Sequence, residues 1–278
     1  MSITIEDVVN TDFVASVKQA YQGMGLIKPY ARVRNNVVGS TCKFRHMGKG
    51  MAKQKLGPAA LVQAMDIVHT QPTATLSDWY AAEFTDIFDQ ATVNFDEKQE
   101  LASCIAGAIG RRCDQLLIDA MDASTPLTST VDAGASNLGM AQLIDAKVAL
   151  VGQGVGNGNL CGVIESGGLG GLLNDEKASS SDYQNVKALV NGDVNTLNGF
   201  NMVILEDRDE GGLTEAASKP DAWFFHRDAL GLAIGIDLQV KVTYEDLYTS
   251  WLTNGIFKAG SVVIDSGGLV KVQYTKTA

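Results

Sequence analysis

The longest helical periodicity in the chain lies in NFDEKQELASCIAGAIGRRCDQLLIDAMDAS, residues 94–124. Leu101, Cys104, Ile105, Ala108, Ile109, Cys113, Leu116, Leu117, Ala120 and Met121 recur there at three- and four-residue intervals. That spacing collects them on one face of an α-helix and leaves Lys98, Gln99, Arg111, Asp114 and Asp119 mostly for the others. Asn94 suits an N-cap and Glu97, three residues on, suits its capping-box partner. The pattern predicts a helix over 94–122, about 28 residues and roughly 42 Å long, well beyond the usual three turns. Gly107 and Gly110 each cost roughly 1 kcal/mol relative to alanine inside a helix, so a close backbone neighbour is expected beside them.

Elsewhere the pattern shortens. Val14, Val17, Ala20 and Tyr21 give a modest helical pattern between Ser2 and Tyr30, closed by Gly23, Gly25 and Pro29, which reads as a peripheral arm. Residues 41–47 and 65–76 are alternating or β-branched, and Gly48, Gly50, Gly57 and Pro58 lie between them. A long hairpin with a loose tip is expected. A second helix is predicted over 139–151, followed by strands at Leu160–Glu165, 188–190 and Phe200–Leu205, with Asn-Gly turns at Asn191-Gly192 and Asn198-Gly199. The closing stretch GSVVIDSGGLVKVQYTK reads as two strands around Ser266, Gly267 and Gly268, a hairpin by spacing. The class is α+β with one dominant helix.

Composition narrows what such a fold can do. Hydrophobic residues make up 45% of the 278, enough for a large core. No uncharged apolar run reaches the about 18 residues of a membrane span, and MSITIEDVVNTDF lacks the basic and apolar regions of a signal peptide. Cys42, Cys104, Cys113 and Cys161 have no C-x-x-C spacing, which predicts buried reduced thiols rather than a metal or redox site. The net charge is -10, the wrong sign for gripping a DNA duplex. Against that background Lys43, Arg45, Lys49, Lys53 and Lys55 fall together in the predicted hairpin. A solvated loop and a loop that meets an acidic surface on a neighbouring subunit both fit this charge.

Motifs for chemistry are scarce. WFFHRDALGLAIG carries the His226-Arg227-Asp228 triplet of a kinase catalytic loop, but residues 229–233 offer no side-chain oxygen for the metal such a loop holds. The glycine-rich VGQGVGNGNLCGVIESGGLGG misses the dinucleotide spacing in either register, since its sixth place is Asn157 or Asn159, and reads as a turn before a strand. Three histidines, His46, His69 and His226, do not make H-E-x-x-H, and no G-x-S-x-G elbow occurs. The acidic pairs Glu206 with Asp207 and Asp209 with Glu210 could flank a substrate, though surface charge clusters are more often solvated. No cofactor, metal or catalytic residue is expected.

Four segments in order, the basic hairpin, TLSDWYAAEFTDIFDQATVNFDEKQELASCIAGAIGRRCDQLLIDAM, LVNGDVNTLNGFNMVILED and AWFFHRDALGLAIGIDLQVKV, resemble the major capsid proteins of short-tailed bacteriophages, with the Hong Kong 97-type fold. The resemblance implies an N-terminal arm over 1–38, an extended E-loop over 39–78, a P-domain over 79–129 with its spine helix at 94–122, an A-domain over 130–240, and a return to the P-domain over 241–278. It implies that Lys43, Arg45, Lys49, Lys53 and Lys55 of the E-loop contact an adjacent subunit. Phe224, Phe225 and Leu230 would be buried, with His226, Arg227 and Asp228 serving structure or a subunit contact. The implied function is structural: self-assembly into pentamers and hexamers of an icosahedral head that encloses double-stranded DNA without reading its sequence. The implied partners are a scaffolding protein, a portal and, in some members, a decoration protein, with no membrane, in a virion put together in the host cytoplasm. An encapsulin-like cargo compartment shares the fold, and a soluble enzyme with a glycine-rich ligand site is the distant alternative.

Overall fold

The computed structural model describes residues 25–58, 61–88, 97–124, 131–134, 136–174, 196–205, 210–216 and 219–275. The helical pattern of residues 14–21, the Asn94 cap, the strand at 188–190, the Asn191-Gly192 turn and Glu206, Asp207 and Asp209 lie outside the described residues. In chain order the elements are β1 (Arg32–Arg34), β2 (Thr41–Lys43), β3 (His46–Met47), β4 (His69–Thr70), β5 (Thr73–Thr75), β6 (Ser77–Asp86), α1 (Glu97–Asp122), β7 (Val131–Asp132), α2 (Met140–Gly152), β8 (Leu160–Glu165), α3 (Ser166–Asn174), β9 (Thr196–Leu197), β10 (Phe200–Leu205), β11 (Glu215–Ala216), β12 (Lys219–His226), β13 (Leu230–Glu245), β14 (Ser250–Val263) and β15 (Leu269–Gln273). They build a four-stranded sheet, β1-β13-β14-β6, and a larger sheet, β7-β15-β12-β8-β10-β9, with β11 added on β12.

The predicted long helix is α1, and its apolar face explains its seat. Ile105, Ile109, Cys113 and Leu117 repeat every fourth residue and are buried with Ile118 and Met121. They share one core with Leu232, Ile234, Phe257 and Ala259 of the four-stranded sheet and with Cys161, Val163, Trp223 and Phe225 of the larger one. At Gly255 of β14 a Cβ would lie 2.4 Å from Ile105 Cγ2 and 2.8 Å from Ile109 Cδ1, so glycine is what lets the helix settle onto that strand. The close neighbour expected at Gly110 is the backbone of Gly25, where a Cβ would come within 2.5 Å of the Gly110 carbonyl oxygen. One turn further on, the buried Asp114 carboxylate accepts the Leu26 and Ile27 amides at 2.8 and 3.0 Å. The described part of the expected arm is thereby fixed to α1, and Ile27 and Ala31 are fully buried.

The larger sheet is apolar on both faces at its centre. Trp223 and Phe225 of β12 enter the core shared with α1, while Ala222 and Phe224 between them pack with Leu143, Ala146 and Leu150 of α2 and Leu172 of α3. Burial on both sides is why β8 and β12 read as apolar runs rather than as alternation. Phe224 and Phe200 meet edge to face at 5.0 Å.

Besides the passage from β6 through α1 to β7, the chain crosses between the two sheets at two neighbouring corners. Arg227–Ala229 forms a 3₁₀ turn between β12 and β13, and Ser266–Gly268 forms another between β14 and β15. A Cβ on Gly268 would lie 2.8 Å from Ala229 Cβ, so the corners touch. This placement corrects one expectation. The closing strands are not a hairpin: β14 already has β13 and β6 on its two edges, and the Asp265-capped turn sends β15 to pair with β12 and β7 instead. The chain leaves the larger sheet for the four-stranded one at the Arg227–Ala229 corner, and residue 240 falls inside β13. A second difference is α3, a helix in SGGLGGLLN where no helix was expected. Its glycines admit close neighbours: a Cβ on Gly168 would strike the Tyr274 ring, and one on Gly171 the Leu138 carbonyl.

Beyond Ile234 the burial of β13 ends, and register irregularities between Ile234 and Gln239 accompany the change. From there β13, β14 and β6 continue as a three-stranded blade whose β13 strand is mostly exposed.

Candidate functional site

The hairpin expected from the flanks 41–47 and 65–76 is present. Its base is the antiparallel pair β2 with β5, and one step outward β3 pairs with β4. Alternation fixes the base: Cys42, Phe44, Ala74 and Leu76 point inward and pack with Ala233 and Ile264, while Lys43 and Arg45 between them face solvent. Outside those pairs the described part of the tip has no regular structure. It carries large apolar side chains in the open, with Met51, Leu56, Leu61 and Val62 exposed by 81, 90, 94 and 95%. A contiguous exposed apolar patch rimmed by charge marks a surface that meets another molecule.

The five basic residues named from the sequence divide into two groups. Lys53 and Lys55 sit at the tip beside Leu56, Leu61 and Val62, around a shallow cleft of about 360 Å³. Lys53 Nζ donates to the Ala64 carbonyl at 2.9 Å, within the tip itself. Lys43, Arg45 and Lys49 lie at and just beyond the base. There Arg32 and Arg34 of β1 join them, two residues that sequence reading missed because nothing local marks a three-residue strand as the neighbour of a hairpin. Lys49 reaches across to the Gln153 carbonyl at the end of α2. Arg32, Arg45, His46 and Lys49 line a cleft of about 630 Å³ that also takes in His226 and Asp265. His46 and Asp265 face each other at 3.9 Å.

The His226-Arg227-Asp228 triplet forms the first crossover corner. His226 Nδ1 accepts the Asp228 amide at 3.2 Å, and Arg227 Nε donates to the Ala31 carbonyl at 3.4 Å. Phe224, Phe225 and Leu230 on either side are fully buried. The triplet therefore turns the chain and ties the corner to the segment before β1. Of the acidic pairs, Glu210 is described and pairs with Arg112 at 3.8 Å, and the Arg112 guanidinium lies 3.7 Å from the Trp79 ring centroid.

Titratable groups in the interior are set by burial. Burial pushes the Cys113 thiol up to about 12, with the Asp114 charge adding to it, and pushes the Cys161 thiol higher still. All four cysteines are free, and Cys104 alone is not fully buried. Burial raises the Asp122 carboxyl above its ordinary value, opposed by its hydrogen bond from Thr214. Among the described residues no three His, Cys, Asp or Glu side chains gather as a metal site, and no helix is long and apolar enough to cross a membrane.

A model of the phage capsid protein family matches residues 5–276 of the chain. No curated protein sequence matches it. Among solved structures the chain is similar to the capsid of cyanophage P-SCSP1u, at 14% identity and a TM-score of 0.75 over 100% of this chain and 96% of that one. It is similar to the head of Helicobacter pylori bacteriophage KHP40 at 8% identity and a TM-score of 0.76, covering 100% and 98% of the two chains. The capsid of a native GTA particle matches at 17% identity and a TM-score of 0.73, covering 97% and 96%. At these identities the likeness is one of fold.

Proposed function

This chain belongs to the phage capsid protein family, and on that premise we propose that its copies associate into the pentamers and hexamers of an icosahedral head around double-stranded DNA. It is a structural shell protein of the virion, with the Hong Kong 97-type capsid fold, and not an enzyme. Its first partner is other copies of itself.

Within that reading, residues 1–38 serve as the arm and 39–78 as the E-loop. The blade of β6, β13 and β14 with α1 as its spine serves as the P-domain, and the larger sheet with α2 and α3 as the A-domain. The length of α1 suits a helix that braces a plate instead of filling one compact centre. The observation that carries the assignment is the hairpin tip, apolar and cationic on a chain of net charge -10. Such a tip gains by lying on the acidic surface of an adjacent copy, where its apolar side chains lose water and its lysines fix register. An acidic wall also leaves packaged DNA free to slide. Assembly on a scaffolding protein and a portal in the host cytoplasm, addition of a decoration protein, and rigid-body rotation of subunits as the head fills complete the proposal.

The test is the combined change of Lys49, Lys53 and Lys55 to glutamate, with far-ultraviolet circular dichroism as the folding control and electron microscopy as the readout. A folded protomer that no longer closes shells is the expected result. Normal shells from the triple variant would remove the hairpin from the contact.

A further inference from the structure

The four-stranded sheet is electrostatically polar from end to end. At one end Arg32 and Arg34 of β1 lie opposite Gly231 and Ala233 of β13. With Lys43 and Arg45 they surround two adjoining clefts of about 400 and 610 Å³ whose linings contain no acidic residue. All four side chains are exposed, and none forms an ion pair with another described residue. At the other end, β13 closes on Glu245, which lies opposite Ser250, which in turn lies opposite Asp86 of β6. Asp246 follows in the exposed turn, and Glu83 is exposed three residues before Asp86. These four carboxylates also lack an ion pair with any described residue. The nearest cation of the blade is Lys241, four positions back along β13.

The two ends are separated by the stretch of β13 from Ala233 to Glu245, roughly 40 Å at about 3.3 Å per residue. That is several Debye lengths in physiological salt, and a sheet cannot fold its ends together. Among the described residues neither set of charges is paired within the chain, which leaves both open to a second molecule. We infer that the cleft of Arg32, Arg34, Lys43 and Arg45 receives the acidic blade tip, Glu83, Asp86, Glu245 and Asp246, of a second copy of this chain. The contact is heterologous, head to tail, the kind that closes into rings when its rotation allows. Opposite charge steers the two ends together, and like-charge repulsion disfavours cleft to cleft and tip to tip. The apolar turn residues Leu247 and Tyr248, exposed by 86 and 62%, are carried into the joint beside the carboxylates. This inference rests on the shell reading and names one of its contacts, separate from the Lys53 and Lys55 tip.

The experiment is a charge exchange. Arg32→Glu with Arg34→Glu, and Glu245→Lys with Asp246→Lys, are made as two separate pairs and then combined in one chain. Thermal melting of the free protomers serves as the folding control, since all four positions lie at the surface of the blade or its cleft. Each pair alone is expected to lose rings and shells with its melting unchanged, and the combined variant to recover them. Shells from either pair alone, or no recovery from the combination of folded chains, would overturn the inference. If wild-type chains assemble and the arginine pair does too, this contact fails while the shell reading stands. If wild-type chains never assemble, the shell reading itself fails. Binding of a short DNA duplex to the free protein is measured alongside. Loss of duplex binding with assembly intact in the arginine pair would assign the cleft to phosphate and refute the carboxylate partner.

Discussion

Replacing Asp114 by alanine tests how Leu26 and Ile27, within the arm, are held to the long helix. The wild-type carboxylate is fully buried and accepts two backbone amides, Leu26 at 2.8 Å and Ile27 at 3.0 Å. Alanine leaves both donors without it. A buried donor left unsatisfied costs about 1–3 kcal/mol. Ile27 has no route to water, whereas the half-exposed Leu26 regains part of its loss, so the sum is about 2–4 kcal/mol. At about 2–4 °C per kcal/mol for a chain of this size, the melting temperature should fall by roughly 4–16 °C. Asp114→Asn keeps one oxygen acceptor and should lose about half as much. Urea denaturation of unassembled protomer gives the free energy, and hydrogen exchange of the peptide over residues 25–31 gives the location. The alanine variant should lose protection there before the larger sheet does. A change below about 0.5 kcal/mol, within the range of an ordinary surface substitution, together with unchanged exchange would refute the anchoring role.

Gly255→Ala should destabilise by about 1–3 kcal/mol through overpacking against Ile105 and Ile109. Combining it with Ile105→Ala should cost about 1 kcal/mol less than the two changes summed, and strict additivity in the double-mutant cycle would contradict the close contact. With Ellman's reagent at pH 8, Cys104 should react first in the native protein and all four thiols after unfolding, because burial holds Cys113 and Cys161 protonated. Fast native labelling of either buried thiol would contradict that. The folded-state pKa of Asp122 is raised, so its native form binds a proton more tightly than the unfolded chain does, and ionisation lowers stability as pH climbs from the ordinary carboxylate value upward. Asp122→Asn should therefore gain stability relative to wild type between pH 4 and pH 7. A relative loss over that interval in paired urea titrations would reverse the sign.

The elements legible in the sequence were those whose pattern repeats within one window. The α1 face, α2, β8, β10 and the hairpin flanks each carry their own periodicity or turn chemistry, and Asn198 and Gly199 both take positive φ at their turn, as an Asn-Gly pair should. What escaped depends on residues distant in the chain. The helix α3 forms in a glycine-rich stretch because Tyr274 and Leu138 approach those glycines, a tertiary cause with no local signature. The hairpin expected at the C-terminus had correct strands and turn but the wrong partners, since β6 occupies the outer edge of β14. The candidate site was half visible. Lys43, Arg45, Lys49, Lys53 and Lys55 stood out by charge, whereas Arg32 and Arg34 acquire meaning only when β1 pairs in parallel with β13 and brings them beside Lys43. The kinase-like triplet, whose metal-binding half is missing, is used by the fold as a corner.

Electron microscopy of the purified protein, expressed alone and with a candidate scaffolding protein, reaches the central proposition most directly. Closed icosahedral shells or ring-shaped capsomers, in which a reconstruction shows the hairpin of one subunit lying over the next, are the expected result. A monodisperse monomer or dimer under every condition would contradict the reading of this chain as a shell that builds itself from its own copies.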